Sequence, residues 1–316
     1  MKKTNTMLVL VAGIYSQFSA AGPIETLNEY NLVVLNNLYT TSEVEGKTLV
    51  GGDLSGTSNY GIRITQNAIV PETTLIVGGN ITAGTNINAN GQSVIVGGVN
   101  YGNVNSKTLL TGAATLDFDL VKSEFTNFSG YLSELAVNST LSSPTTQPAA
   151  ATFNVGTEVN NGVAVFNIDQ ADFFGNTKIQ QYDINTTAAS AVVINVAGTT
   201  INGVNALNPV GNFNNSSFYS NVIWNFYEAT SITLNTLFQG SLIAPLADLT
   251  SSTPIRGSVV VNNYYQNGEI HLPAFNGTLD YEVAVNTPVA SVPAPSSLFI
   301  LASALLGLIM WRRKSV

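Results

Sequence analysis

The sequence predicts an all-β fold, a right-handed β-helix (solenoid) with one long α-helix packed alongside, and three observations carry that prediction. One short phrase occurs three times, as Thr48-Leu-Val-Gly-Gly-Asp53, Thr74-Leu-Ile-Val-Gly-Gly-Asn80 and Ser93-Val-Ile-Val-Gly-Gly-Val99, with glycine pairs starting at Gly51, Gly78 and Gly97. The intervals between them fit stacked repeat units, each a strand turned at a glycine corner, for which positive φ is expected. A second phrase, Gln239-Gly-Ser-Leu-Ile-Ala-Pro245, is echoed one coil length later by Arg256-Gly-Ser-Val-Val-Val-Asn262. Between them Phe118, Val121, Phe125, Phe128, Leu132 and Leu135 fall at steps of three and four, the apolar stripe of an amphipathic helix over 116–135.

Positions 1–21 read as a signal peptide. Lys2 and Lys3 precede the apolar run Met7 to Tyr15, and small residues at Ser19 and Ala21 place cleavage after Ala21. Residues 24–39 are readable either as a helix or, at Asn31-Leu-Val-Val34, as a strand. The three glycine-pair coils follow, with the longer first interval assigned to a loop over 57–62. Asp117 or Thr115 is placed to cap the helix, and Asp119 suits its positive N-terminal end. Residues 137–152, rich in Ser, Thr, Pro and Ala, read as an exposed connection.

Short strands resume at Val163–Ile168, Ala191–Val196, Val222–Phe226 and Ile232–Leu234. Asn-Gly pairs at Asn161, Asn202, Asn267 and Asn276 also suit the hairpins of a β-sandwich. Repeated strand endings one coil apart favour the solenoid. The repeat domain is taken as 22–285, followed by a linker with a sorting motif (286–297), a short apolar membrane segment (298–311) and a basic cytoplasmic tail (312–316).

Composition narrows the function. The 316 residues carry a formal net charge of -8, only 9% are charged, and there is no cysteine. No internal basic run is present to track phosphates, so nucleic acid is not an expected partner. No thiol nucleophile, disulfide or cysteine metal site is possible. A single histidine, His271, rules out multi-histidine metal sites and reads as structural. The acids Asp53, Asp248 and Glu269 are scattered, with no evident pair for glycoside hydrolysis. No catalytic residue, cofactor or metal is therefore assigned. What remains is a surface: Trp224, Tyr227, Tyr264 and Tyr265 form a candidate ligand surface for stacking on sugar rings, with Tyr219 nearby in sequence.

The C-terminus pairs Val292-Pro-Ala-Pro-Ser-Ser297 with the apolar run Leu298 to Trp311 and the bases Arg312-Arg-Lys314. As a helix that apolar run spans about 21 Å, short of the ~30 Å hydrocarbon core, which suits a temporary anchor. This arrangement resembles the PEP-CTERM sorting signal, with Pro293-Ala294-Pro295 in place of Pro-Glu-Pro; Val292, Pro293, Pro295, Arg312 and Arg313 carry the match. The resemblance implies an exosortase-like sorting enzyme, export machinery, a transient stay in the inner membrane of a Gram-negative cell and delivery to the surface or matrix. Asn31-Leu-Val-Val34, Val44-Glu-Gly46 leading into Val50-Gly-Gly-Asp53, Asp117-Phe-Asp119, Gly240-Ser-Leu-Ile-Ala-Pro245, Gly257-Ser258, Gly268-Glu-Ile-His271 and Phe275-Asn-Gly277 together resemble the choice-of-anchor A domain. That likeness implies an adhesive surface protein sharing a β-helix-plus-helix plan with bacterial ice-binding proteins. The function expected is a non-enzymatic adhesin or structural component associated with exopolysaccharide in a biofilm, or with a host or other surface ligand. Ice binding and a polysaccharide-active enzyme are the alternatives. A flat ice face needs threonines repeated coil after coil, and Thr230-Ser-Ile-Thr233 is a single fragment.

Overall fold

A computed structural model describes residues 22–64, 72–113, 115–156, 162–185, 189–203 and 207–281. The chain divides into two compact units, Met1–Tyr281 and Glu282–Val316, and all described residues belong to the first. Ser19, Ala21, Asn161 and everything from residue 282 onward lie outside them.

The described chain is mostly β-sheet with parallel strands stacked coil on coil, an arrangement that fits a β-helix. Each coil contributes a strand to up to three faces. On one face the neighbours are Thr108–Thr111, Ser93–Val96, Thr73–Val77, Lys47–Val50 and Tyr30–Val34. The same face continues through Val259–Gln266, Ser241–Ser251, Val222–Asn225, Ala191–Ala197 and Val163–Asp169. The spatial order is thus not the chain order. The chain starts in the middle of the stack, coils outward to Thr111, returns past the stack as a helix, and coils back until Val259–Val261 pairs with Leu32–Val34.

The register accounts for the repeated phrases. Leu49 pairs with Ile76 and Ile76 with Ile95, the same offsets that separate Gly51, Gly78 and Gly97, and Leu242 pairs with Val259, the offset that separates Gly240 from Gly257. The longer interval has a different origin from that expected: Thr57–Asn59 is strand, paired with Asn86–Asn88, and the extra length falls between Tyr60 and Thr73. Residues 24–39 contain both alternatives, a helix at Pro23–Glu29 and then a strand at Tyr30–Val34.

The main helix, Phe118–Glu134, has 17 residues and begins at Asp117, whose side chain accepts from the Leu120 N–H. At 1.5 Å per residue it is about 25 Å long, enough to cross five or six strands spaced ~4.8 Å apart. It is thus shorter than the stack it accompanies. Val121, Phe125, Phe128 and Leu132 pack on Val33, Leu49, Ile76, Val193, Ile223, Ile243 and Val260. Alternate residues of the same strands, such as Leu32 and Val34, point into the interior enclosed by the coils. Covered on both sides, these strands read as continuous apolar runs.

The glycine pairs differ from expectation in an instructive way. Positive φ occurs at Gly56, Gly61 and Gly84 among others, but at none of the six glycines of the repeated phrase. These glycines are needed because the coils approach closely. A Cβ on Gly78 would stand 2.5 Å from the Gly51 carbonyl oxygen and 2.8 Å from the Phe118 ring, and one on Gly97 would stand 2.5 Å from the Gly78 oxygen. Gly78→Ala is expected to destabilise by about 1–3 kcal/mol, the usual cost of overpacking against backbone that cannot yield. Gly130→Ala is the control: nothing lies within 4 Å of its position in the helix, so a gain of up to about 1 kcal/mol is expected. Denaturant unfolding of the two variants measures both.

Residues 137–152 carry more structure than an exposed connection. Thr140–Ser142 pairs antiparallel with Ala149–Asn154, which pairs in parallel with Ile179–Asn185. Asn208–Pro209 completes this second, four-stranded sheet. The polar composition hid the strand because only Ala151 and Phe153 of Ala149–Asn154 are buried. Phe153 joins Phe173, Tyr182 and Phe213 around the ring of Trp224.

Candidate functional site

The helix covers one face of the stack, leaving two faces for contact with other molecules. The first is lined by amides. Asn105 donates to Asn88, Asn88 to Asn59 and Asn59 to Glu43, at 3.2, 3.0 and 2.6 Å. A depression of about 350 Å³ runs along this row. At the neighbouring rungs His271 lies 2.6 Å from Glu269 through Nε2 and 3.6 Å from Glu45 through Nδ1, and Arg63 bonds Glu45 at 3.3 Å. These contacts give His271 a structural setting.

The second face is built from a repeated tripeptide pattern. Asn37-Leu-Tyr39, Asp53-Leu-Ser55, Asn80-Ile-Thr82, Asp248-Leu-Thr250 and Asn263-Tyr-Tyr265 each place an apolar residue inward between two outward polar ones, as a two-residue strand period demands. Stacking the coils aligns the first positions into a ladder. Asn263 donates to Asp248 at 2.7 Å, the Asn37 N–H to Asn263 at 3.0 Å, the Asp53 N–H to Asn37 at 2.8 Å and the Asn80 N–H to Asp53 at 2.7 Å. Along most of the ladder a side chain thereby satisfies a corner backbone group of the next coil.

The third positions form the outward row Thr250, Tyr265, Tyr39, Ser55. Tyr39 and Tyr265 stack with ring centroids 4.5 Å apart and 14° between planes. They are 37% and 49% exposed. The nearby Tyr39 phenol, as the main cause, pushes the Tyr265 hydroxyl up from its ordinary pKa. A depression of about 430 Å³ surrounds the pair, lined by the tyrosines, Asp53, Asp248, Asn37 and Asn263.

Of the four aromatics expected to face a ligand, Tyr265 is the one exposed at the surface. Trp224 is completely buried, with Nε1 donating to the Gln239 carbonyl at 3.0 Å. Tyr264 is buried and shares a 2.6 Å hydrogen bond with Ser251. Burial raises its hydroxyl pKa well above the ordinary range. Adjacent residues in a strand point to opposite sides, so Tyr264 and Tyr265 cannot both face outward. Tyr227 is half-buried. Sequence reasoning overlooked Tyr39, and the shared Asn-x-Tyr spacing at 37–39 and 263–265 was the signal that would have found it.

Asp53 and Asp248 do not form a hydrolytic pair. Asp248 and Asp53 are three rungs apart on the ladder, about 14 Å at ~4.8 Å per rung, beyond the roughly 6.5–9.5 Å that brackets a water in an inverting glycosidase. Glu269 belongs to the amide face. Among the described residues there is no group of three or more His, Cys, Asp or Glu able to hold a metal ion, and no helix long and apolar enough to cross a membrane; the 298–311 segment is outside that set.

The family described as Ice-binding-like adhesive domain matches residues 23–272. The PEP-CTERM protein-sorting motif matches residues 291–314, a span that includes Val292, Pro293, Pro295, Arg312 and Arg313. No curated protein matches the chain. Among solved structures, the chain is similar to an ice-binding protein from the Antarctic ascomycete Antarctomyces psychrotrophicus, at 13% identity and a TM-score of 0.41, covering 80% of this chain and 99% of that one. It is also similar to an ice-binding protein from an Antarctic Biological Consortium (15% identity, TM-score 0.38, 85% and 96% covered) and to a glycosylated ice-binding protein from an Arctic yeast (9%, 0.38, 84% and 100%).

Proposed function

We propose, since the chain belongs to the Ice-binding-like adhesive domain family and ends in a PEP-CTERM protein-sorting motif, that it is an exported, non-enzymatic adhesive protein of the cell surface or extracellular matrix. The observation that carries the reading is the pairing of these two segments in one chain: an adhesive domain over 23–272 and an address for surface delivery over 291–314. The finer parts of the reading are a signal peptide cleaved after Ala21, a β-helix domain of right-handed winding over 22–285 with the choice-of-anchor A organisation, and a membrane stay through 298–311 that ends when an exosortase-like enzyme acts near Pro293-Ala294-Pro295. Exopolysaccharide of a biofilm is the proposed surrounding.

Ice binding is the second reading, favoured by the family description and by the pairing of Thr233 with Thr250 on adjacent coils. The same outward row then meets Tyr265 and Tyr39, whose rings interrupt the flat threonine array that an ice face requires. Adhesion to a polymer is therefore preferred. Truncation after Val292 is expected to shift the protein from the surface or matrix fraction to the periplasm or medium, read by fractionating the producing cells. Unchanged surface delivery overturns the sorting part of the proposal.

A further inference from the structure

We propose that the Tyr39–Tyr265 stack is the centre of a two-slot site for a polysaccharide bearing free amino groups, each slot taking one sugar ring against the outer face of one tyrosine. This rests on the adhesive reading above and names the ligand class of the exposed face.

The geometry comes from the register. In the outward row the two tyrosines are adjacent, and the rungs beyond them are small: Thr250 beside Tyr265, Ser55 beside Tyr39. The tyrosines cover each other's inner faces at 4.5 Å. Their outer faces look over the low rungs, where two further strand spacings leave about 10 Å before a comparable height could recur. A pyranose ring lying at van der Waals distance, about 4 Å, fits each space. The polar groups repeat with the same symmetry. Two residues before Ser55 stands Asp53, and two residues before Thr250 stands Asp248, each on the outward side of its strand and lining the same depression. Both carboxylates take their ladder hydrogen bonds on Oδ1, so a ligand amine can pair with Oδ2 without displacing the ladder.

Charge selects the sugar. Among the described residues, those lining the depression include two aspartates and no Lys, Arg or His. Lys122, on the helix, is engaged at the corner by the Asn262 side chain at 3.2 Å. A uronate or sulfated chain would meet like charge here, while a protonated amine on the ring would meet a carboxylate and, over the tyrosine face, a favourable ring quadrupole. The depression on the amide face is lined by no aromatic residue among those described and so does not compete for this role.

The test uses the mature protein with three soluble polymers: fully deacetylated chitosan oligomers, the same oligomers N-acetylated, and a polyuronate. Binding is measured by calorimetry at low and high salt. The expected order is deacetylated, then acetylated about tenfold weaker, with the polyuronate unbound. Tyr265→Ala and Tyr39→Ala are each expected to weaken binding about tenfold, the scale of one lost stacking contact, while the protein stays folded with only a small drop in unfolding midpoint. Asp53→Asn with Asp248→Asn is expected to erase the preference for the amine. Equal binding of the polyuronate, no binding of any polymer, or binding indifferent to both tyrosine variants overturns the inference. Cell fractionation, which reads surface and matrix retention, tests the adhesive reading separately, so failure of one is distinguishable from failure of the other.

Discussion

Trp224→Ala is expected to lower the stability of the folded protein by about 3–5 kcal/mol, the range for deleting a large aromatic from a packed core. Trp224 is completely buried at the meeting point of the interior enclosed by the coils and the second sheet. Its ring lies 5.4–5.6 Å from Phe238, Phe173 and Phe153, and its indole N–H is satisfied by the Gln239 carbonyl at 3.0 Å. Alanine would remove the shared partner of all these rings and leave that carbonyl without the indole. The neighbouring coil cannot close the gap, because Gly240, whose added Cβ would stand 3.0 Å from the indole, has no side chain to move in. Denaturant unfolding of the mature protein measures the loss. Tyr265→Ala, on the exposed face, is expected to cost only about 1 kcal/mol, the scale of its lost ring contact with Tyr39. The contrast separates a core aromatic from a binding aromatic that the sequence grouped together.

Asn225→Ala is expected to cost about 3 kcal/mol, the upper end for stranding buried hydrogen-bonding groups, and to loosen the helix. Asn225 is completely buried beneath it. It accepts from the Ser129 hydroxyl at 2.6 Å and donates both to the Ser129 carbonyl and to Asn195, each at 2.8 Å. Asn195 in turn donates to the Leu132 carbonyl at 2.8 Å and to Asn167 at 3.0 Å. Asparagines on successive coils therefore grip the C-terminal half of the helix through side-chain and carbonyl groups. Removing Asn225 orphans several buried polar groups at about 1–3 kcal/mol each before relaxation. Hydrogen exchange at residues 129–135 is expected to rise in Asn225→Ala more than exchange in the strands at 47–50 and 73–77. Equal acceleration everywhere would show that the network contributes only to global stability.

The coil offsets were readable because identical corners must stack at identical heights, which forces near-identical strand endings at Gly51, Gly78 and Gly97. The helix was readable because its one apolar stripe faces a flat sheet. The spatial order of the coils was not. Tyr30–Val34 and Val259–Val261 are both short buried strands, and nothing local to either marks the other, near the opposite end of the chain, as the neighbour that pairs Leu32 with Val259. The reason for the glycine pairs was likewise hidden, since a close carbonyl belongs to another coil and leaves no local trace. Val222–Asn225 is buried along its whole length, so it lacks the alternation that would have separated an inward Trp224 from an outward one. On the exposed face the alternation was present at 263–265, and its phase is set by the inward Leu249, which pairs with Tyr264.

Adhesion to a matrix polymer is best tested by binding of the mature protein, isolated from its producing cells, to the extracellular polysaccharide of those cells, with the polymer's length recorded before and after. Saturable binding to a polymer that keeps its length is expected, with no effect on ice recrystallisation at the same protein concentration. No binding to the polymer, shortening of the chain, or arrest of ice recrystallisation would contradict a non-enzymatic adhesive role.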